Sequence, residues 1–156
     1  MQSERIVNKI KEWCFAQEPK NYTNHFLFQH LLVNLLRENE WMAYKEYELE
    51  NYPKLNQLNG KISDRRGFID VCAFAHNKKI AIEYDTCTQL RSKSISKLFF
   101  SNADFPIGIV LGKHAKPFLR FENTAKINRI AKESGIVNKA IYLIVIENNI
   151  AEWVQV

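Results

Sequence analysis

The chain has 156 residues, of which 46% are hydrophobic and 25% charged, with 5 glycines, 4 prolines and a net charge of +5. That is enough chain for one domain with a substantial core, and the ordinary composition excludes low-complexity, collagenous and disulfide-stapled classes. Cys14, Cys72 and Cys87 show no CxxC spacing and the four histidines are scattered, which argues for reduced thiols and against a zinc knuckle. The opening MQSERIVNKIKEW lacks the apolar core of a signal peptide, and the longest apolar run, residues 140–146, is too short to span a bilayer. A cytoplasmic protein without membrane contact is expected.

The charge is unevenly placed. Residues 86–120 carry six bases (Arg91, Lys93, Lys97, Lys113, Lys116 and Arg120) against one acid, Asp104, an excess equal to the net charge of the whole chain. Such a cluster suits a phosphate backbone. A solvated basic face is the plainer reading of the same charges.

In chain order, Ile6, Val7, Ile10, Trp13 and Cys14 recur at helical spacing and predict a helix over residues 3–17, stopped by Pro19. A second helix is expected over 23–38, with apolar residues on more than one stripe and therefore well buried. It carries His25 and His30, read as structural or surface residues. Residues 41–49 alternate roughly with period two and read as a strand. Residues 50–66 hold turn signals and no clear element, with Lys54, Lys61, Arg65 and Arg66 among them. A loop of that length inside one domain is uncommon and usually functional or mobile: it would border a substrate groove, or it is simply a long hairpin loop.

Strands are predicted over 68–75 and 79–86, a helix over 90–102, and a strand covered on both faces over 106–112. A helix over 124–134 then ends on Gly135, followed by a second buried strand over 140–147 and a short one over 150–156. Strand, helix, strand implies a parallel crossover. The expected architecture is a single α/β domain over 1–156: N-terminal helices in 3–38, a core in 41–147, and a C-terminal strand at 150–156. Its mixed central sheet begins as an antiparallel meander, continues with parallel strands and carries helices on both faces.

Chemistry concentrates in residues 66–98. A turn at Asn77-Lys78 would set Asp70 opposite Asp85 and Cys72 opposite Glu83. Three acids would then share one face of a hairpin whose other face, Ile69, Val71, Ile80, Ile82 and Tyr84, is apolar. Opposed carboxylates repel unless a cation neutralises them, and Mg²⁺ is the natural partner because it takes oxygen ligands and keeps several waters. Bound there, it would polarise a phosphoryl oxygen, while Lys93 or Lys97, one turn apart on the next helix, would steady developing charge. Acids at strand ends also occur as salt-bridged surface residues, and the apolar neighbours of Glu83 weigh against that plainer reading.

Three segments, Gly67-Phe68-Ile69-Asp70, Ile80-Ala81-Ile82-Glu83-Tyr84-Asp85 and Lys93-Ser94-Ile95-Ser96-Lys97-Leu98, resemble the PD-(D/E)xK nuclease superfamily. The resemblance implies a restriction-endonuclease-like core and a DNA endonuclease that uses Mg²⁺ or Mn²⁺. Asp70 and Glu83 would be metal ligands, and Asp85 would join them in holding one or two metal ions. Asp85 stands where the family usually has its lysine, so Lys93 or Lys97 would be a migrated lysine. If neither reaches the site, the chain would be an inactive nucleic-acid-binding or assembly module with the same fold. The family's further upstream acid would be Glu46, with Glu38, Glu40 and Glu48 close by. Arg66, Arg91, Lys113 and Lys116 would grip phosphates. So little chain lies beyond this core that a structure-selective or repair nuclease, a homodimer or a subunit of a larger complex is expected. A third reading is a protein-interaction subunit whose basic patch meets an acidic partner.

Overall fold

A computed structural model describes residues 2–49, 55–56, 61–62, 67–112 and 119–156. The elements in order are α1 (Gln2–Phe15), α2 (Pro19–Tyr22), α3 (His25–Glu38), β1 (Met42–Glu48), β2 (Leu55–Asn56), β3 (Lys61–Ile62), β4 (Phe68–Ala75), β5 (Lys78–Asp85), α4 (Ser92–Phe100), β6 (Phe105–Val110), α5 (Leu119–Glu133), β7 (Ala140–Val145) and β8 (Ile150–Gln155), with a 3₁₀ turn at Ile146–Asn148. Six strands form one sheet in the order β1-β4-β5-β6-β7-β8. β1, β4 and β5 form an antiparallel meander, β5, β6 and β7 run parallel, and β8 returns antiparallel. The parallel links need crossovers, and α4 and α5 supply them. This is the α/β architecture with a mixed sheet that the sequence predicts.

Two apolar layers cover the sheet. Ile10, Phe28, Leu32 and Leu36 from α1 and α3 pack on Val71, Ile82, Tyr84 and Ile109. Ile95, Leu98 and Phe99 from α4, with Ile127 and Ile130 from α5, pack on Cys72, Ala81, Leu143 and Val145. α3 does not bury all its apolar residues, because Phe26 is 74% and Leu27 37% exposed. Pro19 opens the short α2 rather than only ending α1, as its fixed φ and missing N–H allow at a first helical position. α5 begins five residues earlier than expected, at Leu119, and ends on Gly135 at φ +67 as its sequence suggests. Within 50–66, where no element is expected, β2 and β3 pair as a two-rung hairpin.

The central hairpin corrects the predicted register. Its turn is His76-Asn77, both left-handed at φ 51 and 61, so Ala75 pairs with Lys78. A two-residue loop of this hand matches the twist of the strands, and His and Asn are among the residues that tolerate it. Cys72 therefore faces Ala81, not Glu83, and Val71 faces Ile82. Continued one rung, the register sets Asp70 level with Glu83, not Asp85. A slip of two residues keeps Glu83 and Asp85 on their predicted face but changes which acid Asp70 meets.

A second irregularity lies beside it. Lys45 pairs with Val71 and Tyr47 with Ile69, but the intervening rung of Glu46 and Asp70 is missing, and Glu46 has φ 51. Regular alternation would put residues three apart on opposite faces. Across this rung, however, Tyr44 and Tyr47 stand in ring contact at 6.1 Å, and Ile69 joins Cys72 in the α4/α5 layer. Ile69 thus leaves the face predicted for it. The missing rung frees Asp70 from ordinary strand pairing.

Candidate active site

Asp70 and Glu83 meet where β4 and β5 part. The ladder between the strands ends at Val71 and Ile82. Beyond it the Asp70 side chain replaces a strand partner: Tyr84 N–H donates to Asp70 Oδ2 at 2.8 Å. The main-chain carbonyl of Asp70 accepts from Gln29 Nε2 at 2.8 Å, and the same nitrogen donates to Glu46 Oε1 at 2.9 Å. One buried amide thus spans the missing rung. Glu46 is exposed, on the edge strand next to Asp70.

His25 completes the α3 side. Its Nε2 is 3.4 Å from Asp70 Oδ2, and its ring stacks on Tyr84 with centroids 5.7 Å apart and planes 11° apart. Tyr84 is itself fixed, packed on Phe28 and donating its hydroxyl to the Tyr22 carbonyl. Sequence reading set His25 aside and missed Gln29. The available signal was their spacing: polar residues four apart share one face of a helix, here the face toward Asp70.

Glu83 is 1% exposed. Lys97 Nζ, from α4, lies 3.2 Å from its Oε1 with the lysine side chain only 14% exposed. The ammonium and the carboxylate oxygen form an ion pair at a depth where solvent hardly reaches either. Burial, and then the neighbouring charge of Asp70, push the Glu83 carboxyl well above the usual carboxylate range, with Lys97 opposing them. Lys93, one turn back on α4, is exposed.

Asp85 has a different environment. Its Oδ2 accepts the Arg91 main-chain N–H and its Oδ1 accepts Arg91 Nε, each at 2.9 Å. Arg91 is the N-cap residue of α4, so Asp85 holds the start of the helix that carries Lys97. Its negative charge raises the Arg91 guanidinium further, and the arginine side chain remains 71% exposed. The helix is also held at its far end, where Lys139 Nζ donates to the Phe99 carbonyl and Lys79 Nζ to the Ser101 carbonyl. Cations there complement the negative end of the helix dipole.

The link from β5 to α4 is pinned as well. Asn123 Oδ1 accepts from Leu90 N–H and its Nδ2 donates to the Thr88 carbonyl. Gln89 Nε2 donates to Glu122 Oε2 at 2.7 Å. At the same end of the sheet, Leu111 N–H donates to the Cys87 carbonyl and Glu147 N–H to the Leu111 carbonyl. Gly108 is level with Glu83 on β6. Its missing side chain leaves the space that Leu90 occupies, for a Cβ there would lie 2.5 Å from Leu90 Cδ1.

The three acids expected to converge therefore do not. Asp70 and Glu83 come together, and Asp85 is committed to Arg91. Among the described residues, no group of three or more His, Cys, Asp and Glu is arranged to hold a metal ion. Two carboxylates with waters are still a sufficient set for Mg²⁺, and the buried carboxylate oxygens of Glu83 are the hard donors such a cation takes. Asp70 and Glu83 fit such an ion. Arg66, Lys113 and Lys116 lie outside the described residues. No helix among the described residues is long and apolar enough to cross a membrane. Comparison with protein families, curated proteins and solved structures gives no match to this chain.

Proposed function

We propose that the chain is a metal-dependent nuclease of the PD-(D/E)xK type that hydrolyses phosphodiester bonds in DNA, with Lys97 on α4 in the role of the lysine that Asp85 displaces. The observation that carries this reading is the 3.2 Å ion pair between Lys97 Nζ and the buried Oε1 of Glu83. An acid and a lysine from different elements are costly to bring together at that depth, and pairing them next to a second acid serves chemistry better than stability.

Asp70 and Glu83 would hold Mg²⁺ or Mn²⁺, with Glu46 a further acid linked to Asp70 through Gln29. When bound, the ion supplies Lewis-acid polarisation and charge neutralisation at the phosphate. Lys97 orients the attacking water and steadies negative charge on the phosphoryl oxygens. Gln29 fixes the Asp70 main chain, and Tyr84 N–H and His25 fix its carboxylate. Asp85 and Arg91 set the position of α4 and so the reach of Lys97. Arg66, Arg91, Lys113 and Lys116 would grip phosphates of the backbone. A cytoplasmic enzyme acting as a homodimer or as the nuclease subunit of a larger assembly is part of the same reading.

One observation favours a second reading. Both oxygens of Asp85 are engaged by Arg91, so the motif position is given over to holding a helix, as in an inactive nucleic-acid-binding module that keeps the fold. The two readings part in one assay: supercoiled, linear and branched DNA with Mg²⁺ or Mn²⁺, wild type beside Glu83→Gln. The nuclease cuts at least one substrate, and Glu83→Gln loses that activity by orders of magnitude. Failure of folded wild type to cut any substrate, with salt-dependent DNA affinity that survives Asp70→Asn and Glu83→Gln, would establish the binding module instead.

A further inference from the structure

One surface lies beside the candidate site without belonging to it. Tyr44, Tyr47 and Phe74 form a ring cluster on the β1/β4 end of the sheet, with centroids 5.5 to 6.3 Å apart. Lys79 Nζ lies 5.8 Å from the centroids of both Tyr47 and Phe74. Tyr44 is 45% exposed and Met42, two residues before it on the same edge strand, 62%. Rings at a sheet edge normally turn inward or are covered. These are held together by the irregular rung at Glu46, which brings Tyr47 onto the side of Tyr44.

The patch lies on strands that neighbour the site. Tyr47 pairs with Ile69, the neighbour of Asp70, and Glu83 lies one strand further on. At a strand spacing of about 4.8 Å, two strands separate the aromatic edge from Glu83 by roughly 10 Å. That is the scale of one or two nucleotides along an extended strand. Aromatic rings on an open sheet face, with a lysine among them, are what unpaired bases stack on, because every base has a π-face whatever its sequence. A base pair inside a duplex offers no free face to such a platform.

We infer that Tyr44, with Tyr47 and Phe74 behind it, is a stacking platform for unpaired nucleobases of the substrate strand. The inference rests on the nuclease reading for the role of the site and adds its substrate class: DNA with a single-stranded segment next to the scissile phosphate. Lys79 supplies positive charge for the backbone between stacked bases. Tyr44 makes the outermost contact, and its exposure makes it replaceable without opening the core.

The test measures binding apart from cutting. In the Glu83→Gln protein, a fluorescent single-stranded oligonucleotide and a duplex of the same sequence are titrated by anisotropy, with and without Tyr44→Ala. The platform predicts a roughly 10-fold loss of single-strand affinity on Tyr44→Ala, duplex affinity within about 2-fold, and recovery in Tyr44→Trp. The introduced indole should also be quenched by the oligonucleotide and not by inorganic phosphate. Unchanged single-strand affinity in Tyr44→Ala would overturn the inference. So would a dimer, seen by sedimentation, that Tyr44→Ala dissociates, for the patch would then belong to a second copy of the chain. If the platform behaves as expected and wild type still cuts nothing, the nuclease reading fails and the platform stands.

Discussion

Asp85 is bound twice by one residue, Arg91, through its main-chain N–H and its Nε, both at 2.9 Å. The contact closes the turn between β5 and α4, so Asp85 positions the helix that carries Lys97 to Glu83.

Asp85→Ala should therefore lower stability by about 1.5–3 kcal/mol, the range for hydrogen bonds to a charged group. Hydrogen exchange should quicken in α4 ahead of α1. Asp85→Asn should leave Mn²⁺ affinity at Asp70 and Glu83 within about 10-fold, the low end of the cost for a residue outside the ligand set. Calorimetric titration of the folded variant checks this, and a loss of 100-fold would return Asp85 to the metal ligands.

Glu83 predicts a pH dependence with a definite sign. Its folded pKa is raised by burial and by Asp70, so the native state holds the proton more tightly than the unfolded chain does. That contribution is fully present below the unfolded value, about 4.3, and is lost as pH rises through the raised folded value. Wild type should lose stability relative to Glu83→Gln as pH rises above about 4.3, by roughly 1.4 kcal/mol for each pH unit separating the two pKa values. Thermal unfolding of both proteins between pH 4 and 8 would show it. A difference that does not vary with pH would remove the buried carboxyl from the account. Mn²⁺, binding the charged form, should release protons and bind more tightly as pH rises.

Gly108 tests the packing that sets the site. Gly108→Ala would force Leu90, which is fully buried, from its present position. The expected cost is about 1–3 kcal/mol. Because Leu90 belongs to the link that Asn123 pins to α5, activity should fall more steeply than stability. Pairing Gly108→Ala with Leu90→Ala should recover part of the loss. Chemical denaturation of the two single variants and the double variant measures that coupling.

Much of the fold was legible because its elements carry strong periods. The alternating and fully apolar strands, the crossover helix with Ile95, Leu98 and Phe99 inward, and the glycine stop at Gly135 all follow from local pattern. Register did not follow. His76, Asn77 and Lys78 offer two nearly equivalent turn placements, and only the left-handed geometry of His76 and Asn77 decides between them. That choice moved Asp70 from Asp85 to Glu83. The roles of Asp85, His25 and Gln29 were hidden for a related reason. Each depends on contacts between elements: Arg91 folding back over a turn, or α3 packed against the end of β4. Phe26 was hidden too, since an apolar residue at the open end of a helix has the same sequence signature as a buried one.

The most direct test of the account is the single-turnover cleavage rate of Lys97→Met with Mg²⁺ or Mn²⁺, beside wild type, Lys97→Arg and Lys93→Met. If Lys97 replaces the motif lysine, Lys97→Met loses at least about 100-fold in rate. It should remain folded and bind Mn²⁺, Lys97→Arg should recover part of the rate, and Lys93→Met should stay near wild type. Cleavage by Lys97→Met at the wild-type rate would contradict the account.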